Sequence, residues 1–578
     1  MAQNPFAAAA PSSAVWATDI STMLAEAADG AVALKFGDTA LTYQQLRAQV
    51  QSVANSLHKQ GLQAGDVLGI WLPNTPRWLV LHLACASLGV ATLSLNLKLG
   101  IQELVRFIDR SGCKALAFDR GIANAFALAN GTPAGPQLLL PGNSLAQVLS
   151  KHAGSLALLI DASASAAANA FAHWEDMAGT LQPTQPLPPA LPPVYTHWLA
   201  LVEPENAAQH SKPAGSHAAQ TCIILSSSGT TSMPKLIVHS QANIARHAQE
   251  VAPGFGVDAN CSTLLALPMC GAFGYVAAMM TLAAGACLVL HEAFEPTQAA
   301  EVLRTQPVTH MFGTNDMVGK LIAPLPADWR PRALRFFGHA NFVPGLDELP
   351  TQAQQYGIPM VGCFGMSEIL ALFAHQATQA TLPRRAQSGG FPVSAQAQVR
   401  VRNLETGDLA ATNEPGELEI FSPTMMQGYL QNPQATEQAF TADGYLRSGD
   451  LGYSNGDGGF THLSRLGDVL RIGGFLVNPA EIEEAVINLS GASACQVVAV
   501  NAAGSSRPVA FVLLPAGQTV DEAAIKQQLN QQIARYKVPI RIFSVDSFPY
   551  TTSPNGMKVK RNELRDRAQA LLAQEANP

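Results

Sequence analysis

Short apolar runs alternate with helix-period text through residues 31–120. Leu68–Leu72 reads as a strand, Arg77–Leu88 as a helix and Val90–Leu95 as a second strand. That alternation predicts a sheet with helices on its faces. Residues 121–220 loosen into alanine-rich helical text, with Leu181–Tyr195 (LQPTQPLPPALPPVY) as a polyproline-like surface connection. A second β/α block is expected over 221–375, and a small β-rich unit over 380–460, where short strands such as Glu417–Phe421 stand among Gly, Asp and Pro. Beyond it, Pro479–Leu489 is helical, with Ile482, Ala485, Val486 and Leu489 on one face. Gln496–Val500, Val509–Leu514 and Ile542–Val545 read as strands and Asp521–Arg535 as a helix, together a compact α+β module.

One uncharged stretch, Cys261–Leu290, is long enough to be weighed against a membrane span. Its small residues, Pro268 and Gly285, and the absence of a flanking Arg/Lys cluster favour a buried helix followed by a core strand at Cys287–Leu290. No integral membrane span is expected.

The 578 residues are 48% apolar and 13% charged, a composition that builds large cores and is not that of a disordered chain. A net charge of −7 without a basic block excludes nucleic acid as a partner. A phosphate ligand would have to be held by a few local cations and backbone N–H groups. The eight cysteines show no CxxC pair or Cys/His ligand spacing, so neither a disulfide framework nor a zinc site is indicated. The N-terminus lacks the basic and continuous apolar regions of a signal peptide, and the expected location is cytoplasmic.

The strongest local chemistry lies in SSSGTTSMPK, Ser226–Lys235. An apolar strand, Ile223–Leu225, runs into a loop of hydroxyl residues with one glycine, ending at Lys235. Such a loop can wrap a phosphate chain in N–H and O–H donors while the lysine supplies charge. The alternative is a polar surface turn. It is not a Walker A loop, because Pro234 precedes the lysine and Leu236 follows it. The segment resembles the phosphate loop T-S-G-T-T-G-x-P-K of the adenylate-forming acyl-CoA synthetases, adenylation domains and luciferases. Ser227, Ser228, Gly229, Thr230 and Thr231 fall in the nucleotide-binding positions, with Ser227 replacing a threonine and Ser232 a glycine.

Further motifs of that family follow in order. Phe364-Gly365-Met366-Ser367-Glu368 is similar to its aromatic-G-x-T-E. The resemblance implies that Phe364 stacks on adenine, Ser367 touches phosphate and Glu368 binds Mg²⁺ beside ATP; taken alone, GMSE reads as an ordinary helix start. Ser448-Gly449-Asp450 resembles T-G-D, whose aspartate accepts the ribose hydroxyls, and Arg465 follows at a family-like interval. Arg465–Glu483 matches the family's hinge segment closely, with Gly467 at the hinge position usually held by Asp or Lys, and Gly473 and Gly474 on the side expected to meet coenzyme A. Near the C-terminus, Phe548–Arg561 resembles L-P-x-T-x-S-G-K-I-x-R with extra residues before the lysine. The register set by Asn562-Glu563-Leu564 makes Lys558 the expected catalytic lysine, with Lys560 the alternative.

Two departures concern the acyl pocket. Pro268–Gly274 is similar to P-[LM]-F-H-x-x-G but puts Gly271 where relatives carry histidine, and Gly338-His339-Ala340-Asn341 resembles G-G-A-P. On this resemblance Gly338 and His339 hold adenine, while Gly271, Phe273, Met366 and Asn341 line the acid; a packed or surface His339 is the alternative.

The resemblance implies an α/β fold. A large N-terminal adenylation domain (1–466) would hold two α/β sheet subdomains and a small β-rich subdomain, followed by a mobile α+β domain (467–578). It implies ATP, Mg²⁺ and coenzyme A, with a small-molecule carboxylic acid as substrate and catalysis by Lys558, Glu368 and Lys235. Transfer to a separate carrier protein, or a catalytically silent nucleotide-binding member, are the alternatives. The acid itself is not identified.

Overall fold

Two predominantly apolar segments are buried along nearly their whole length and set the core of the larger part of the chain. Pro76–Leu88, with Pro at its first turn and Gly89 closing it in the left-handed region, is a helix buried continuously from Pro76 to Ala86. Ala272–Ala283 is likewise buried from Gly274 to Leu282. Helices of this kind belong inside large proteins. The second leads through Gly285 into the strand Cys287–Leu290, the helix-then-strand expected for the uncharged stretch. Among the described residues no helix is long and apolar enough to cross a membrane.

A computed structural model describes residues 16–97, 99, 101–119, 156, 158–162, 194–197, 217–227, 235–340, 348–404, 406–466, 470–472, 475–477, 479–502, 505–515, 518–553, 556–559 and 561–576. Most of 121–220 therefore lies outside the described residues, including the polyproline-like stretch up to 193; Val194 and Tyr195 open a strand, Val194–His197. The chain divides into two units. The larger takes Met1–Leu97, Ile108–Ser226 and Leu236–Leu463, and the smaller takes Lys98–Phe107, Ser227–Lys235 and Ser464–Pro578.

The fold is α/β, with a large N-terminal domain and a smaller C-terminal one. Two sheets organise the larger unit. One, of eight strands, runs in the order Gly428–Tyr429, Lys235–Ser240, Thr221–Ser227, Ala91–Ser94, Val67–Trp71, Ala115–Phe118, Leu158–Asp161, Val194–His197. The other, of thirteen strands, passes from the antiparallel strands of 389–465 through parallel Phe336–Ala340, His310–Thr314, Ser262–Leu265 and Cys287–Leu290 to the hairpin Val32–Thr42. The β-rich segment is thus continuous with the second α/β sheet, hydrogen-bonded edge to edge.

Sheet membership also departs from chain order. The early strand Val32–Phe36 pairs parallel with Cys287–Leu290 (Leu34 opposite Leu288), and the late Gly428–Tyr429 pairs with Lys235–Ser240. Side-chain alternation fits either sheet, so period alone does not choose between them.

In the smaller unit, Ala494–Ala502, Ser505–Leu513 and Arg541–Ser544 form a three-stranded sheet. Alternation splits its apolar residues between two faces. Val497, Ala510 and Val512 pack with Ile482, Val486, Ile525 and Leu529 from the helices Pro479–Ser490 and Glu522–Gln532. Val498, Val509 and Phe511 pack with Leu564 and Ala568 from the helix Arg561–Ala576. Within this unit the buried Lys537 ammonium lies 2.5 Å from Glu103 and 2.7 Å from Glu481. Burial pushes the Glu481 carboxyl up to about 7, and these carboxylates hold the Lys537 ammonium above its ordinary value.

Candidate active site

The strand Met360–Met366 lies where the second sheet changes from parallel to antiparallel. On one side it pairs parallel with Phe336–Ala340, placing Gly338 opposite Val361 and His339 opposite Gly362. On the other it turns back through Ser367–Ile369 into Leu370–His375, with Met366 opposite Leu370. The segment GMSE therefore ends a strand and makes a turn; it does not start a helix. The turn is tight. Leu370 (φ 65°) and Leu372 (φ 62°) both hold left-handed backbone although neither is glycine. Gly365 is required opposite them, since a Cβ there would lie 2.8 Å from the Ala371 Cα and 2.9 Å from the Leu372 N.

Glu368 sits in this turn, buried. Its carboxyl Oε1 accepts from the Tyr429 hydroxyl at 3.1 Å. Its own carbonyl accepts from the Met426 N–H at 2.7 Å. The preceding carbonyl, of Ser367, is 2.7 Å from the His239 Nε2. Burial pushes His239 down to about 4, so near pH 7 the ring is neutral and Nε2–H is the donor.

Phe364, three residues before the turn, packs edge-on against Phe460 at 5.2 Å and tilted against His462 at 5.3 Å. The same His462 ring puts Nε2 3.5 Å from the buried Asp450 Oδ1. Phe364 and Asp450 therefore meet the same imidazole. Gly449, just before the aspartate, has φ 67°, and its N–H donates to the Glu417 carboxyl at 3.1 Å. Burial raises that carboxyl above its ordinary value.

The Pro268 loop reaches the same sheet through aromatic packing. Phe273 lies 6.3 Å from Phe312, and Phe312 covers Gly338 so closely that a Cβ there would be 2.6 Å from its ring. Gly274 is forced, a Cβ falling 2.4 Å from the Pro268 carbonyl oxygen. Gly271 is open, its nearest atom 3.7 Å away. The buried Asn74 side chain spans the loop, donating to the Leu267 carbonyl at 2.6 Å and accepting from the Met269 N–H at 2.8 Å. His339 is buried on its strand, and Met366 closes the next.

Gly338, His339, Phe364, Gly365, Met366, Ser367, Glu368 and Asp450 are thus brought to one region of the larger unit, with Gly271 and Phe273 joined to it by Phe312. Ser227 ends the strand Thr221–Ser227 and Lys235 begins Lys235–Ser240. Arg465 ends the strand Phe460–Arg465. Lys558 stands in the hairpin strand Gly556–Val559 of the smaller unit, opposite Thr551. Ser228, Gly229, Thr230, Thr231, Ser232, Asn341, Gly467, Gly473, Gly474 and Lys560 lie outside the described residues. Tyr429, His239, Asn74 and His462 were not singled out in the sequence. Tyr429, His239 and Asn74 meet their partners across long stretches of chain, and no motif spacing announces any of the four.

Comparison with known proteins shows the family and the fold. A feruloyl-CoA synthase from Amycolatopsis sp is 28% identical over 93% of this chain and 96% of its own length. A 2-succinylbenzoate–CoA ligase from Geobacillus kaustophilus is 30% identical over 60% of this chain and 69% of its own. Among solved structures, o-succinylbenzoate CoA synthetase from Bacillus subtilis matches with a TM-score of 0.74 at 20% identity, over 95% of this chain and 97% of that one. The amide bond synthetase McbA from Marinactinospora thermotolerans matches at 0.72 and 22%, over 95% and 99%. The model of the AMP-binding enzyme C-terminal domain covers residues 481–554, and that of the AMP-binding enzyme covers 23–430. The chain belongs to the AMP-binding, adenylate-forming enzyme family.

Proposed function

We propose that the protein is an AMP-forming acid–thiol ligase that joins a small carboxylic acid to coenzyme A at the expense of ATP. The feruloyl-CoA synthase relative is matched over 93% of this chain. The observation that carries the residue roles is the convergence of Phe364 and Asp450 on the His462 ring, with Glu368 in the turn that follows the Phe364 strand, which suits one adenine nucleotide. Phe364 and Gly338 take the adenine, Asp450 the ribose hydroxyls, and Ser367 a phosphate oxygen.

In the first step a carboxylate oxygen of the acid bonds to the α-phosphorus of ATP while the bond to pyrophosphate breaks. Charge grows on the leaving pyrophosphate, so the step needs positioned cations and donors more than proton transfer, the acid being already ionised. Lys235, Lys558 and the hydroxyl loop supply them in this reading. Glu368 would hold magnesium. Among the described residues no cluster of three or more His, Cys, Asp or Glu could hold an ion. A single buried carboxylate with phosphate oxygens and water is nonetheless a donor set that Mg²⁺ accepts. When bound, the ion supplies positive charge beside the triphosphate. In the second step the coenzyme A thiol loses its proton, its sulfur bonds to the acyl carbon, and AMP departs. In this reading Gly473 and Gly474 serve the coenzyme A step. A cytoplasmic location belongs to the same reading.

A panel of carboxylic acids with ATP, Mg²⁺ and coenzyme A, followed by AMP release and thioester mass, tests the activity; substituting a purified carrier protein for coenzyme A identifies the acceptor. Lys558→Ala should slow adenylation by about 10²–10³-fold, the scale of one lost charge-stabilising group. Thioester formation from supplied acyl-AMP should largely survive. Equal loss in both half-reactions would refute the role of Lys558.

A further inference from the structure

The short segment 425–430 ties the Glu368 turn to the strand Lys235–Ser240. Gly428 and Tyr429 pair antiparallel with Val238 and Ile237. The Leu430 N–H donates to the Leu236 carbonyl at 2.7 Å and the Gln427 N–H to the Val238 carbonyl at 2.8 Å. The segment then reaches the turn twice, through the Met426 N–H on the Glu368 carbonyl and the Tyr429 hydroxyl on the Glu368 carboxyl at 3.1 Å. From the same strand Lys235–Ser240, His239 donates to the Ser367 carbonyl. Both Tyr429 and Glu368 are buried, so the hydroxyl has little water to compete with.

We infer that Tyr429 is a positioning residue that orients the Glu368 carboxylate for the cation carried by ATP. The inference rests on the reading of Glu368 as the magnesium carboxylate. A glutamate side chain has three χ angles, and its terminal torsion is broad, so without a partner the carboxylate plane is not fixed toward the ion. The tyrosine hydroxyl occupies a lone pair of Oε1, fixes the plane of the group and leaves Oε2 to face the ion. Support of a ligating carboxylate by a hydrogen-bond donor tunes metal affinity by about 10–100-fold in other sites. His239 fixes the backbone of the same turn, so Ser367 and Glu368 are held by two paired strands.

The test uses the full-length protein and α,β-methylene-ATP, with affinity measured calorimetrically in excess EDTA and across a magnesium titration. Magnesium should tighten nucleotide binding to the native protein, and Glu368→Gln should remove that tightening. Tyr429→Phe keeps the ring and its packing. It should reduce the magnesium-dependent tightening by about tenfold, the scale of one hydrogen bond to a charged group. Affinity for AMP in EDTA should be unchanged, which also reports an intact fold. The double variant should be no worse than Glu368→Gln alone. If Glu368→Gln abolishes the tightening while Tyr429→Phe retains all of it, Tyr429 does not position the carboxylate, although Glu368 keeps its role. If Tyr429→Phe weakens AMP and α,β-methylene-ATP equally, the tyrosine is only structural and the inference fails. If Glu368→Gln binds magnesium-nucleotide as the native protein does, the reading of Glu368 falls and the inference with it.

Discussion

A single added methyl group should have opposite consequences at two glycines of the site. At Gly365 the new Cβ would stand 2.8 Å from the Ala371 Cα, 2.9 Å from the Leu372 N and 3.1 Å from the Ala371 carbonyl carbon, all backbone atoms. No rotamer change relieves such contacts, so the two strands of the hairpin must part. Leu370 and Leu372 already hold positive φ and have little room to adjust. Overpacking of this kind costs about 1–3 kcal/mol. The displacement falls on the turn bearing Ser367 and Glu368, where a shift of about 1 Å is enough for a loss on the order of 10²-fold in rate. At Gly271 the nearest atom to the new Cβ is the Pro268 carbonyl oxygen at 3.7 Å, and the backbone (φ −106°, ψ 149°) is extended and open to alanine. The cost there is that of a weaker helix N-cap, under about 1 kcal/mol. Carboxylate-dependent ATP–pyrophosphate exchange and thermal unfolding should therefore separate the two: Gly365→Ala loses exchange by about 10²-fold and melts earlier, and Gly271→Ala keeps exchange while changing the KM for the acid. Equal effects at both positions, or a harmless Gly365→Ala, would refute the steric reasoning.

Asn74→Ala should strand the buried Leu267 carbonyl and Met269 N–H at a cost of about 1–3 kcal/mol each, and should raise the KM for the acid while leaving that for ATP unchanged; steady-state kinetics with each substrate varied decides it. Stability should fall as the medium is acidified. Burial depresses His82 to about 3 and His239, His247 and His310 to about 4, so between pH 6.5 and 4 the unfolded chain binds protons that the fold refuses. Each such histidine contributes a slope of about 1.4 kcal/mol per pH unit there. His82→Gln, whose amide can still meet Thr92 and Tyr275, should flatten the urea-unfolding profile by that amount; an unchanged slope would remove His82 from the account.

The local elements were legible because burial writes itself into short-range pattern. The strand read at Leu68–Leu72 is Val67–Trp71, and the helix read at Arg77–Leu88 is Pro76–Leu88. The helix expected over Asp521–Arg535 ends sooner, at Gln532, with a separate turn at Arg535–Lys537 whose lysine is drawn into the Glu103 and Glu481 carboxylates. Long-range decisions were not legible. Nothing near Val32–Phe36 says that its neighbour is Cys287–Leu290, because a strand with the right alternation satisfies any sheet edge. The same holds for chemistry. Phe364, Glu368 and Asp450 stand in recognisable motifs, whereas Tyr429 and His239 act through single hydrogen bonds to groups 61 and 128 residues away.

The exchange of strands between the two sheets bears on how the molecule is made. Leu34 leaves the ribosome some 250 residues before its partner Leu288, which at about 5–20 residues per second is a wait of roughly 10–50 s. The edge beside Lys235–Ser240 likewise stays open for some 190 residues, until Gly428 and Tyr429 emerge. Neither layer can be completed from contiguous chain, so a gene cut between these closing strands would yield two fragments with unfinished edges, each prone to self-association and dependent on chaperones until reunited.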